Sequence, residues 1–214
     1  MSRSQSAWPA AGRRPRTDAT AGDSAEPRRG PIKYFVLACW LLPYSPSCTS
    51  PTLIPPTHDE AKAHELTLEA LEVIESDLAK AEELLLAALQ ADLYHGPAHN
   101  DLGVLYLRQS RLFEAANEFE LARKLMPGNP DPRLNLGLTL EKAGLYDRAF
   151  DAYNAALEVL PSHIRTMQAV ARLTLRTGRK NDDRLMGMLE EVTLRGETSN
   201  WRSWAQEQMS RLKR

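Results

Sequence analysis

The chain has 214 residues, 43% of them hydrophobic and 26% charged, room for one ordinary domain plus a tail. A net charge of −1 and an isoelectric point near 6.5 exclude an overall basic footprint, so no nucleic-acid partner is expected. Both cysteines, Cys39 and Cys48, precede residue 50, which excludes a disulfide framework or a cysteine-based zinc site in the rest of the chain.

Charge is unevenly spread. Residues 1–33 carry seven Lys/Arg against three Asp/Glu, residues 57–95 carry ten acidic groups against two lysines, and residues 161–214 carry eleven basic groups against six acidic. The chain therefore runs from acidic to basic along its C-terminal three quarters, mostly as solvating helix faces.

In chain order, residues 1–33 are rich in Ser, Pro, Arg, Ala and Gly, bury little, and read as a disordered basic segment. Residues 34–48 follow Arg28, Arg29 and Lys33 with a short uncharged apolar run, Tyr34 to Leu42. That run is about half the length a membrane-crossing helix needs. A basic flank, a short apolar core, and Ser45 and Ser47 ahead of Cys48 have the layout of a secretory signal. Residues 49–57 form a proline-rich linker that disfavours a helix and holds an extended spacing.

From His58 onward the hydrophobic spacing is helical. Leu66, Leu68, Leu71, Val73, Ile74 and Leu78 recur at helical intervals, and Ala81, Leu84, Leu85, Ala88 and Leu89 open a second apolar face. Between Gly96 and His163 the sequence repeats itself at 34 residues. Leu102-Gly103 falls on Leu136-Gly137, Ala115 on Ala149, Phe119 on Tyr153, Ala122 on Ala156 and Pro127 on Pro161. A fixed period of this size marks a stacked helical repeat. Small residues lie where two antiparallel helices must cross, and Pro127 and Pro161 close the second helix of each pair. The frame divides the chain into 58–95 (degenerate), 96–129, 130–163, 164–196 (degenerate) and a final helix over 197–214.

In the first unit Glu69 replaces the crossing glycine and Leu93 the proline, predicting helices set apart or a longer first helix. In the fourth, Asp183 and Glu190 fall where Ala149 and Ala156 stand. The last helix, capped by Thr198 or Ser199, aligns Trp201, Trp204, Ala205, Met209 and Leu212 as a cover for the end of the stack.

No constellation for catalysis survives inspection. His95 and His99 are four apart, but Gly96-Pro97 between them predicts turn histidines, and His58, His64 and His163 lack metal-ligand spacing. There is no glycine-rich phosphate loop, no nucleophile elbow, and no cysteine paired with a histidine. The reading is non-catalytic, with no cofactor and no metal.

The order Leu-Gly, Ala, aromatic, Ala, Pro resembles the tetratricopeptide repeat. The resemblance implies an all-α solenoid of three to four helix-turn-helix units with a C-terminal capping helix, whose trade is binding other proteins. It also implies a concave groove lined by the second, fifth, ninth, twelfth and thirteenth places of each unit. Carried onto this sequence, these are Ala63, Leu66, Ala70, Val73 and Ile74, then Pro97, Asn100, Val104, Leu107 and Arg108. The third unit supplies Asp131, Leu134, Leu138, Glu141 and Lys142, and the fourth Arg165, Gln168, Arg172, Leu175 and Arg176. Such a groove is apolar at its N-terminal end and cationic at its C-terminal end, suited to a peptide or helix with an acidic end. One subclass clamps a chaperone's C-terminal carboxylate with Lys and Asn in its first repeat; Leu66 and Ala70 stand there, so that ligand is not expected.

Cys48 also resembles the acceptor of bacterial lipoproteins, although Ser45 and Pro46 depart from the usual motif; it is the candidate lipidation site. This implies a cell-envelope scaffold, tethered by an N-terminal lipid, for assembling a secretion, pilus or outer-membrane complex. The alternatives are an unprocessed cytoplasmic adaptor, or a subunit presenting substrates in trans to an enzyme such as a glycosyltransferase or peptidase. Self-assembly, acidic end on basic end, is a third. The sequence names neither the protein partner nor the oligomeric state.

Overall fold

A computed structural model describes residues 58–179 and 183–213, and the readings of residues 1–57, Cys48 among them, lie outside these. The described residues form nine α-helices. They are α1 (Glu60–Val73), α2 (Leu78–Ala91), α3 (Gly96–Arg108), α4 (Leu112–Leu125), α5 (Asp131–Lys142), α6 (Tyr146–Val159), α7 (Ile164–Arg176), α8 (Arg184–Arg195) and α9 (Ser199–Leu212). Each packs on the next in sequence. In addition α1, α3, α5 and α7 touch one another in turn, whereas the second helices make no comparable contact among themselves. The first helices therefore line the inner, concave side of a solenoid and the second helices its outer side.

Local chemistry fixes where helices start. Asp59 accepts from the Lys62 amide at 3.0 Å, and Asp77 from the amides of Ala79 and Lys80 at 3.1 and 3.0 Å. Pro97 and Pro132 sit in first turns, where no helical amide bond is lost. Thr198, as expected, caps α9 through the Trp201 amide.

Three of the inner helices, α3, α5 and α7, end alike. Ser110, Gly144 and Gly178, 34 residues apart, adopt left-handed φ values of 62°, 80° and 72°. The amides of Arg111, Leu145 and Arg179 then reach back to the carbonyls of Tyr106, Leu140 and Thr174. This is a Schellman-type closure. After α3 and α5 it turns the chain sharply into α4 and α6.

The crossings explain Gly103 and Gly137. A Cβ on Gly103 would lie 2.6 Å from Phe119 Cε1, and one on Gly137 would lie 2.3 Å from Tyr153 Cε1. Both rings are fully buried, with Ala115, Ala122, Ala149 and Ala156 packed closely around the same crossings.

The 34-residue frame fails at both ends. In α1 the buried residues are Ala63, Thr67 and Ala70, followed by Ile74 at its C-terminal cap, whereas Glu69, in the place of Gly103, is exposed. This helix is rotated about its axis. The rotation accompanies a different ending: the Asp77 amide bonds Val73 O, with no left-handed residue at Ser76. At 14 residues α1 is also longer than α3 (13) and α5 (12), as the missing glycine suggested.

In α8 the core is made by Leu185, Met188, Leu189 and Val192, while Asp183 and Glu190 are exposed. The expected places of Ala149 and Ala156 are filled by Leu185 and Val192, a step of 36, because the α7–α8 connection is longer than the α5–α6 turn. Finally α9 covers α8, with Ala205 fully buried and Trp201 and Trp204 meeting edge-to-face at 5.3 Å.

Candidate functional site

The concave face offers a strip of half-buried apolar side chains. Leu66 and Val73 of α1, Val104 and Leu107 of α3, and Leu138 of α5 are each partly open. Six residues expected to line it are covered instead: Ala63 and Ala70 are fully buried, Leu134 is 2% exposed, Gln168 4%, and Ile74 and Glu141 7% each. For Ala70 the cause is the rotation of α1, which turns Ala63, Ala70 and Ile74 into the core. It therefore has no surface to present.

Polar rungs join neighbouring first helices along this face. Arg108 Nη2 donates to Glu75 Oε1 at 2.6 Å, and the guanidinium holds the Glu75 carboxyl below its usual range. Asn135 Nδ2 donates to Asn100 Oδ1 at 3.0 Å, and Asn100 in turn donates to Asp101 Oδ1, a carboxyl whose pKa burial pushes up. Lys142 Nζ donates to the carbonyl of Leu107 at 3.1 Å and to Ser110 Oγ at 3.0 Å. Each rung costs little or contributes little alone, but together they fix the spacing of the first helices.

At the C-terminal end the cations are largely matched by anions. Arg165 lies 3.3 Å from Asp131 and 3.7 Å from Glu197. Arg172 and Arg176, one turn apart on α7, both reach Glu141. Arg172 Nη2 is 3.2 and 3.1 Å from the two carboxylate oxygens, and Arg176 Nη1 is 3.0 Å from Oε1. The Tyr153 hydroxyl donates to Oε2 at 2.7 Å from below. Burial first, then the adjoining carboxylate, push the Tyr153 phenol far up, so it stays a donor.

Glu141 is only 7% exposed, beneath arginines whose side chains are 39% and 48% exposed. The end of the groove is thus a pair of half-open guanidiniums over a covered carboxylate. The sequence marked all three as lining residues without pairing them. The signal was available: an acidic twelfth place is followed, one unit later, by arginines at the ninth and thirteenth.

His95 and His99 are built into the repeat packing. His95 precedes α3 and His99 lies in its first turn, both buried rather than at an open junction. His99 Nδ1 is 2.7 Å from Glu118 Oε2 and Nε2 is 3.0 Å from Leu93 O, tying α4 and the α2–α3 turn to α3. Among the described residues no group of three His, Cys, Asp or Glu is placed to hold a metal. Nor is any described helix long and apolar enough to cross a membrane.

No known family model matches the sequence. The fold, however, matches solved structures. The first tetratricopeptide-repeat domain of Spaghetti (RPAP3), bound to the HSP90 peptide SRMEEVD, superposes with a TM-score of 0.53 at 16% identity, over 56% of this chain and 96% of that one. A tetratricopeptide repeat protein from Parabacteroides merdae ATCC 43184 gives 0.58 at 20% identity, over 72% of this chain and 60% of that one. MamA gives 0.52 at 19% identity, over 72% and 81%.

Proposed function

We propose that this chain, which has the tetratricopeptide-repeat fold of those proteins, is a non-catalytic scaffold that binds a peptide or helix of another protein along its concave face. One observation carries the reading. The open apolar strip of Leu66, Val73, Val104, Leu107 and Leu138 leads directly to the half-exposed Arg172 and Arg176. Apolar side chains of a ligand fill the strip, and a carboxylate at its far end meets the arginines. That the RPAP3 domain is bound to a peptide ending in EEVD is in keeping with an acidic end.

The scaffold works at the cell envelope, held by a lipid on Cys48, and helps assemble a secretion, pilus or outer-membrane complex. The sequence features around Cys48 support this part, and intact mass with N-terminal analysis of protein from its own host tests it. A chain beginning at Cys48 with a lipid-sized increment is expected; a chain beginning at Met1 or Ser2 refutes the tether and leaves a cytoplasmic adaptor. Photo-crosslinkers at Leu107 and Leu138 test the groove. Crosslinks there and none from outer-face Leu121 are expected, and the reverse pattern refutes the reading. If the crosslinked partner is an enzyme, the chain is instead the substrate-presenting subunit.

A further inference from the structure

We infer that Glu141 is a built-in counter-charge that makes the arginine end of the groove select a single carboxylate over a doubly charged phosphoryl group. The inference rests on the groove reading and specifies the ligand chemistry at its C-terminal end.

The geometry gives Glu141 two jobs. Its two oxygens receive Arg172 Nη2, Arg176 Nη1 and the Tyr153 hydroxyl, which fixes both guanidiniums side by side from one turn to the next of α7. Held in this way, they lose little side-chain freedom when a ligand arrives. A guanidinium has five N–H donors, and the ion pair uses few of them. The Arg172 side chain is 39% exposed and that of Arg176 48%, so each presents open surface to a ligand, although Arg172 Nε is itself buried. The Arg176 guanidinium packs 4.8 Å from the centre of the Tyr146 ring, which holds its plane from the other side.

The second job is electrostatic. Two arginines over one buried carboxylate leave a single net positive charge at the mouth of this subsite. One ligand carboxylate neutralises it. A phosphoryl dianion is drawn more strongly by that one charge, but it must shed far more hydration to bind and leaves an uncompensated negative charge beside a carboxylate that is already covered and engaged. Lys142, the next cation, is turned away to Leu107 O and Ser110 Oγ, and Arg165 is matched by Asp131 and Glu197. An acidic peptide end is accepted here and a phosphorylated one is not.

The test uses the full chain at about pH 7.5, where a phosphate ester is a dianion, and constant ionic strength. Benzoate and phenyl phosphate are titrated while the side-chain N–H signals of Arg172 and Arg176 are followed by NMR. The two probes share a ring and differ in head-group charge. In the unmodified chain both signals move saturably with benzoate, which binds at least as tightly as phenyl phosphate. In Glu141→Gln, phenyl phosphate tightens by about tenfold and overtakes benzoate. Glu141→Asp, which keeps the charge, keeps the original order. Arg176→Gln weakens benzoate by about tenfold and serves if Glu141→Gln fails to fold.

A purely structural Glu141 changes stability but not the order of the two anions. An unchanged order in Glu141→Gln overturns the inference, as does a tighter phenyl phosphate in the unmodified chain or an Arg176→Gln chain with unaltered benzoate affinity. Silence of both arginine signals also overturns it. Binding of peptides at Leu107 and Leu138 is scored separately, so the groove reading can survive that result.

Discussion

Replacing Gly137 by alanine puts the packing argument to a direct test. In an open helix the change would stabilise by about 1 kcal/mol, because alanine orders more cheaply than glycine. Here the new methyl would sit 2.3, 2.4 and 3.0 Å from Cε1, Cδ1 and Cζ of Tyr153. The ring has nowhere to go: it is fully buried and its hydroxyl is tied to Glu141. Overpacking of this kind costs up to about 3 kcal/mol, so the net loss is about 2 kcal/mol. For a domain of this size that lowers Tm by about 4–8 °C.

Gly103→Ala should lose less, about 1 kcal/mol, because Phe119 has no polar tether and its closest atom is 2.6 Å away. Gly187, inside α8, has nothing within 4 Å of a new Cβ, so Gly187→Ala should gain about 1 kcal/mol. Urea unfolding followed by far-UV circular dichroism measures all three. A Gly137→Ala chain within about 0.5 kcal/mol of the original, or one as stabilised as Gly187→Ala, refutes the crossing as described.

Ser110 holds a left-handed φ of 62° that glycine adopts freely, so Ser110→Gly should raise stability by about 0.5–1 kcal/mol in the same assay, despite losing the exposed Lys142 bond. At His99, burial opposes the charged ring, but the Glu118 bond, the Leu93 carbonyl and the Glu118 charge outweigh it, and the pKa is raised. A raised histidine stabilises fully below its unfolded value, near 6.5, and loses that contribution as pH rises through the folded value. The stability gap between the original chain and His99→Gln should therefore be widest below about pH 6.5 and narrow above it; a gap that widens with pH would contradict the pairing. His95 and His163, whose pKa values burial lowers, act in the opposite sense, so the gap rather than the whole profile is the quantity to measure.

The middle of this protein was legible because its sequence states one geometry twice. Gly103 and Gly137 stand against Phe119 and Tyr153, and each of those residues has one job that any neighbouring unit would also require. The ends were less legible. α1 has no described helix before it to hold its register, and it lacks the left-handed cap that sets the others, so Ala70 turned inward while Leu68 and Leu71 stayed 50% and 45% exposed. In α8 a longer connection moved the buried set by two residues, and an inherited frame cannot see a connection's length.

At the candidate site the expected lining places fall on or at the ends of first helices, but their depth was not legible. Glu141 is counted as groove-facing by its place, yet two arginines from α7, the next first helix, cover it. That depends on side chains 31 and 35 residues away, not on local pattern. The acidic-to-basic run of the chain also changes meaning in three dimensions. Described residues 183–213 carry five acidic and five basic side chains, so the terminal helices are balanced. The excess positive charge belongs to α7, on the concave side.

The groove is tested most directly by selecting peptides on the full chain and measuring their affinity by fluorescence anisotropy for three variants. Leu107→Asp and Leu138→Asp should each weaken a selected peptide by at least about tenfold, the loss of one well-buried apolar contact. Leu121→Asp, on the outer side of α4, should leave it unchanged. Peptides that lose affinity on Leu121→Asp, and keep it on Leu107→Asp and Leu138→Asp, would place binding on the outer face and contradict the account.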